Sequence, residues 1–129
     1  MNVVAPTALV CLAGLTSQSL AQSSFEGNWC AESDIMFIDA YGIGFNDHTM
    51  CDVENLPVAM DQENRWASKV ACRNVHVVDV DNDGTEEVIE MPIEGLTTMN
   101  FLGADDGTLV MTTDFHMEDL HFLPCDAFN

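Results

Sequence analysis

An acidic segment with regular spacing is the part of this sequence best suited to chemistry. Residues 79–90 read DVDNDGTEEVIE and fit the pattern D-x-[DN]-x-[DN]-G-x5-E, which is typical of a calcium-binding loop. Calcium takes about six to eight oxygen ligands, which carboxylates and backbone carbonyls provide. The candidate ligands are the carboxylates of Asp79, Asp81, Asp83, Glu87 and Glu90 and the carbonyl oxygen of Thr85. The sequence therefore predicts a calcium site, with a structural rather than a catalytic role.

The flanking residues indicate which kind of calcium loop this is. The segments 75–78 and 88–89 are rich in Val and Ile, which favours strands on both sides of the loop. The segment is similar to the Asp-rich calcium loops between strands of FG-GAP and integrin-type repeats. That resemblance implies a ligand set without Glu90, namely Asp79, Asp81, Asp83, the Thr85 carbonyl and Glu87. An acidic, solvated connection between two strands is the alternative interpretation.

Catalytic arrangements find little support elsewhere in the chain. Hydrolase triads need a nucleophile, a histidine and an acid brought together, and the sequence contains neither a nucleophile elbow nor a Gly-rich phosphate loop. A carboxylate pair for glycoside cleavage could be chosen from so many acids that the pattern discriminates nothing. We therefore expect a protein that is not an enzyme.

The charge of the chain is strongly one-sided. Three basic residues, Arg65, Lys69 and Arg73, oppose 22 acidic residues, for a formal net charge of −19. Such a surface repels nucleic acid and anionic lipid and attracts cations and basic proteins. Adaptation to salty surroundings, where self-repulsion is screened, explains the same composition. We expect no nucleic acid among the partners, a basic protein as one candidate partner, and a monomer by default.

The first 21 residues have the pattern of a secretory signal. An apolar run over residues 3–15 is followed by Ser19 and Ala21, small residues at positions −3 and −1 of a cut after Ala21. No other segment approaches the ~20 apolar residues needed to span a bilayer. We expect a periplasmic or secreted protein with one domain over residues 22–129, which is 129 − 21 = 108 residues.

Four cysteines remain after that cut, and an even number in an exported chain predicts two disulfides. They are Cys30, Cys51, Cys72 and Cys125. Apolar runs flank Asp39–Gly42, which has the residues of a type I turn. If its two central residues form a hairpin loop, opposed residues have numbers that sum to 81, and Cys30 faces Cys51. Among three possible pairings, this register favours Cys30–Cys51 and Cys72–Cys125.

Alternating apolar and polar residues predict a chain made of strands. Residues 65–78 fit a strand with Trp66, Val70, Cys72 and Val78 on one face. A helix is the alternative, but the β-branched end favours the strand. A Gly-containing loop at 103–107 predicts a hairpin, and the last strand is expected over 115–123. The fold class is all-β: an antiparallel meander of about seven strands forming a small barrel, because closure removes exposed edges.

A family resemblance adds to this pattern. Gly27 and Trp29 on the first strand, followed by a meander, resemble the lipocalin or calycin pattern. With four cysteines, one of them at the end of the last strand, the chain is similar to small exported bacterial lipocalin-like barrels, whose layout periplasmic lysozyme inhibitors share. We expect an exported, non-enzymatic binding or structural module. The alternatives are an inhibitor of a cationic envelope or host hydrolase such as lysozyme, and a carrier of a small apolar ligand.

Overall fold

The computed structural model describes residues 24–79 and 81–128. In this part of the chain the strands are β1 (Gly27–Cys30), β2 (Ile35–Asp39), β3 (Gly42–Phe45), β4 (Thr49–Val53), β5 (Arg65–Val78), β6 (Glu87–Pro92), β7 (Thr98–Gly103), β8 (Leu109–Thr113) and β9 (Leu120–Pro124), followed by a 3-10 helix at Cys125–Phe128. The predicted signal at residues 1–21 lies outside the described residues and stays a prediction. Within the described ranges, no helix is long and apolar enough to cross a membrane.

Eight of the strands form a closed antiparallel barrel. Their order is β4-β3-β2-β1-β9-β8-β7-β5, and pairing of β4 with β5 closes the ring. The last strand lies beside the first, with Trp29 opposite Pro124. The predicted all-β fold, an antiparallel meander in a small barrel, is confirmed. The number of strands is higher than expected because the segment between Gly27 and Val53 divides into four short strands.

β5 is long enough to pair with three other strands. Its strand interpretation is confirmed. Of the predicted inner face, Trp66, Val70 and Cys72 are buried, whereas Val78 is only half-buried. Residues 65–69 pair with β7, residues 70–74 pair with β4, and residues 73–78 pair with β6. The last part of β5 therefore extends past the barrel, and β6 lies outside the ring as its partner in a hairpin.

The predicted register around Asp39–Gly42 is confirmed for β2 and β3. Ile38 lies opposite Ile43, two residues whose numbers sum to 81. The Asp39 carboxylate accepts hydrogen bonds from the backbone nitrogens of Tyr41 and Gly42, at 2.8 and 3.1 Å. These bonds fix the turn. Outside β2 and β3 the predicted pairing is not kept, because the chain turns at residues 31–34 and 46–48.

Two disulfides are present, as predicted, but the favoured pairing is wrong. The bonds join Cys30 to Cys125 and Cys51 to Cys72, so neither Cys30–Cys51 nor Cys72–Cys125 forms. Cys51 lies directly opposite Cys72 on the adjacent strands β4 and β5. Cys30 lies opposite Leu123 on β9, just before the chain turns into the helix that carries Cys125. The turns that interrupt the long hairpin give each cysteine a different neighbour.

The barrel interior is packed with apolar side chains. The buried residues are Phe25, Met36, Ile38, Ile43, Cys51, Val58, Trp66, Val70, Cys72, Leu96, Met99, Phe101, Leu109, Met111 and Phe122. One end is closed by Phe25, whose ring meets that of Phe101 edge-on at 5.5 Å and whose backbone nitrogen donates to the Val58 carbonyl oxygen at 3.1 Å. The Trp66 ring packs against the Phe101 ring with an interplanar angle of 31° and ring centroids 4.8 Å apart. The opposite end, where Met99, Met111 and His116 lie, is less completely filled and is called the mouth.

Candidate functional site

The predicted calcium loop lies at the tip of the β5–β6 hairpin, outside the barrel. The Asp79 carboxylate accepts hydrogen bonds from the backbone nitrogens of Asp83 and Gly84, at 3.0 and 2.8 Å. The Asp83 carboxylate accepts one from the Thr85 nitrogen at 2.8 Å, and that bond holds the pKa of Asp83 below its usual range. Two of the predicted ligands therefore cap the backbone of their own loop.

The remaining predicted ligands are spread along the hairpin. Asp81 lies in the loop and Glu87 lies on β6, opposite Val78. Glu90 is bound elsewhere, because its carboxylate pairs with the guanidinium of Arg73 at 2.7 Å. Within residues 24–79 and 81–128, no three His, Cys, Asp or Glu side chains are grouped closely enough to hold a metal ion. Calcium binding by Asp79, Asp81, Asp83, Thr85, Glu87 and Glu90 stays a prediction.

A partly open apolar cavity of about 190 Å³ lies in the mouth of the barrel. Its lining residues are Asp34, Phe45, Thr49, Ile93, Leu96, Met99, Met111, Thr113, Phe115, His116, Leu120 and Phe122. An apolar cavity of about 150 Å³ is large enough for benzene, whereas pockets for drug-sized ligands measure about 300–1,000 Å³. The space therefore fits one aromatic ring with a short substituent.

Strand alternation builds the inner wall of this cavity. Met99 on β7, Met111 on β8 and Phe122 on β9 are almost completely buried, and each points inward because every second residue of a strand faces the same side. Met99 on β7 lies directly opposite Thr113 on β8, and both side chains face inward. Flexible methionines adapt to irregular shapes at low cost. The wall can therefore adjust to a ligand without moving the backbone.

A hydroxyl and an imidazole form a polar group at the edge of the cavity. The Thr113 hydroxyl oxygen accepts hydrogen bonds from the backbone nitrogens of Phe115 and His116, at 3.2 and 3.0 Å. The same oxygen lies 3.0 Å from Nδ1 of His116. Since both of its lone pairs are used, the hydroxyl donates its hydrogen to Nδ1, and the neutral ring carries its proton on Nε2. His116 therefore offers the mouth one N–H donor.

An aspartate ties the two loops of the mouth together. The Asp114 carboxylate accepts hydrogen bonds from the Thr97 hydroxyl and from the backbone nitrogens of Thr97 and Thr98, the last two at 2.8 and 3.0 Å. These bonds, led by the Thr97 hydroxyl, lower the pKa of Asp114 to about 2. The loop that carries Leu96 is thus fixed against the loop that carries His116. These bonds hold together the two loops that border the cavity.

The mouth of the barrel lies in negatively charged surroundings. Asp34 lines the cavity, and its carboxylate accepts a hydrogen bond from the side-chain nitrogen of Asn46 at 3.1 Å. The whole chain carries a net charge of −19, which produces a negative potential around the opening. A neutral or cationic ligand can approach this site, whereas a carboxylate or phosphate is repelled.

Sequence reasoning placed no binding residue in this cavity. The segment 115–123 was expected to be one strand, but the strand begins only at Leu120, and residues 114–119 form a loop of the mouth. Phe115 and His116 line the cavity from that loop. The available signal was Asp114, a turn-forming residue that interrupts the strand pattern after Thr113 and is followed by two aromatic rings.

No known protein family, curated protein or solved structure matches this chain. Function is therefore inferred from the geometry of the barrel itself.

Proposed function

We propose that this protein is an exported, non-enzymatic binding module that carries a small apolar ligand in the mouth of its barrel. The observation that carries the proposal is the cavity of about 190 Å³ between buried apolar walls, with His116 and Asp34 at its edge. Ligand sites are commonly concave and mostly apolar, with a few polar groups that fix orientation. The resemblance to exported lipocalin-like barrels supports the same role.

The ligand class follows from size and charge. A single ring or a short branched chain fills the cavity, and the terminal group is a hydroxyl, a carbonyl or an amine. The Nε2–H of His116 would donate to a carbonyl, and the Asp34 carboxylate would accept from an amine or a hydroxyl. Small ligands gain at most about 1.5 kcal/mol per non-hydrogen atom and usually much less, so we expect micromolar to millimolar affinity.

Export and the disulfides belong to the same proposal. Two disulfides suit an oxidising compartment such as the periplasm or the exterior of the cell. Together with the predicted signal at residues 1–21, they support a periplasmic or secreted location. A calcium ion in the loop at residues 79–90 would reduce repulsion among its carboxylates and act as a structural stabiliser.

The proposal is tested by native mass spectrometry of protein purified from its own compartment, with two matched substitutions. Ile93 lies at the edge of the cavity, so Ile93→Trp should fill the opening. Ile35 is 41% exposed and absent from the cavity wall, so Ile35→Trp is the control. We expect a small bound molecule in the wild type and the control and none in Ile93→Trp. The same bound mass in all three proteins would place the ligand elsewhere and refute the proposal.

A second candidate is inhibition of a cationic hydrolase such as lysozyme. The net charge of −19, with only three basic residues in the chain, favours it. Its test is an activity assay of lysozyme with increasing amounts of this protein at low and at high salt. Full hydrolase activity at every concentration in low salt would eliminate this candidate.

A further inference from the structure

Strand β6 forms an open edge of the sheet. Within residues 24–79 and 81–128 it pairs only with β5, and all six of its residues are exposed. Val88, Ile89 and Met91 are large apolar side chains, exposed at 63%, 40% and 50%. The backbone groups on the free edge of such a strand are available to pair with another strand.

The end of the hairpin that β6 forms has no core beneath it. Residues 76–78 of β5 are paired with β6 along one edge only, because β4 begins at Thr49, opposite Asn74. Val77 lies opposite Val88 on one face of the ribbon, and His76 lies opposite Ile89 on the other. A two-stranded ribbon is marginally stable in water by itself, and a third strand stabilises it. The exposed apolar residues on both faces therefore suit a strand that is still to be added.

The charge around this edge distinguishes between possible occupants. Glu86, Glu87 and Glu94 are exposed around β6. Arg73, the basic residue in the part of β5 that pairs with β6, is already paired with Asp52 and with a β6 glutamate. A second copy carries the same net charge of −19, so the two chains would repel each other. A basic strand would instead place opposite charges beside the glutamates.

We propose that the free edge of β6 binds an extended segment of a basic protein by strand addition. The segment carries two adjacent Lys or Arg residues beside two adjacent apolar residues. Because neighbouring strand residues point to opposite faces, its cations then meet both Glu86 and Glu87 and its apolar residues cover both Val88 and Ile89. This surface is separate from the mouth cavity, and it stands or fails independently of the ligand proposed for the cavity.

The test uses the mature, disulfide-bonded protein and a blocked octapeptide in which pairs of lysines alternate with pairs of valines, with the glutamate–valine octapeptide of the same pattern as its control. Backbone amide signals are followed by NMR during titration at about 50 mM and about 500 mM salt, since screening weakens exposed charge pairs. A double variant, Glu86→Lys with Glu87→Lys, reverses the charge of two glutamates at this edge. Glu63→Lys with Asp105→Lys makes the same change of net charge on loops at the closed end.

We expect the lysine peptide to shift the signals of β6 most strongly at low salt, and the glutamate peptide to shift none. The Glu86 and Glu87 variant should bind about tenfold more weakly, and the Glu63 and Asp105 variant within about twofold of the wild type. Equal losses in both variants would show that only the overall charge matters and would overturn the proposal. Peptide-induced shifts centred elsewhere, or dimers joined through β6 without peptide, would overturn it as well.

Discussion

Phe25 offers a direct test of how the barrel is closed. Its side chain is fully buried at the end opposite the mouth and packs edge-on against Phe101. Phe25→Ala exposes or vacates about 100 Å² of apolar contact, worth about 2.5 kcal/mol. The cavity left behind adds about 1–2 kcal/mol, because the surrounding strands collapse only in part. We expect the free energy of unfolding to fall by about 3–5 kcal/mol.

The assay is equilibrium unfolding in urea with both disulfides intact. For a domain of this size that loss corresponds to a midpoint lower by about 2–3 M urea. Phe37→Ala is the matched control, because Phe37 is 38% exposed on the outer face of β2, and it should cost about 1 kcal/mol or less. If the two variants unfold at the same urea concentration, the residues before β1 do not plug the barrel.

Three further predictions concern the disulfides, the mouth and the acidic loop. Replacing Cys30 and Cys125 together with alanine removes a cross-link across 95 residues and should cost about 4–5 kcal/mol of unfolding free energy in urea; a loss below about 1 kcal/mol would contradict the pairing. The pKa of Asp114 is lowered to about 2, so its stabilisation is present above the unfolded pKa of about 4 and is lost as the pH falls through about 2. Asp114→Asn should therefore reduce the fall of the melting temperature with decreasing pH over that range. An unchanged dependence on pH would count against a role of the Asp114 carboxylate in holding the two mouth loops together. Calcium should raise the melting temperature of the wild type but not of Asp81→Ala, and a rise of equal size in both would exclude this loop as the site.

Local patterns predicted the parts of the fold that depend on neighbouring residues. The turn at Asp39–Gly42 fixed the register of β2 against β3, because a short loop determines which residues are opposed. The alternation of Trp66, Val70 and Cys72 identified β5 and its buried face. In each case the information lies within one hairpin or one strand.

The disulfide pairing could not be predicted because it depends on contacts between distant segments. A turn at residues 46–48, where Asn46 adopts φ of 55°, ends the first hairpin before it reaches Cys51. β4 then pairs with β5, which brings Cys51 opposite Cys72. Register arithmetic carried through an unbroken hairpin therefore assigned the wrong partner.

The cavity was missed for a related reason. Alternation shows which side chains face the interior, but it does not show which of them fill the barrel and which border an open space. Met99 and Met111 read as ordinary core residues, and only the closure of eight strands places them at one end. His116 joins them through a loop that sequence patterns had assigned to a strand.

The most direct test of ligand binding in the mouth is NMR titration of methionine methyl signals with three ligands that share one ring. Phenethylamine, phenylethanol and phenylacetate differ mainly in the charge of the terminal group. The proposed function predicts saturable shifts of the Met99 and Met111 methyl signals with the amine and the alcohol, much weaker binding of phenylacetate, and loss of all shifts in Ile93→Trp. Methyl signals that do not move with any of the three, or that move equally in Ile93→Trp, would contradict it.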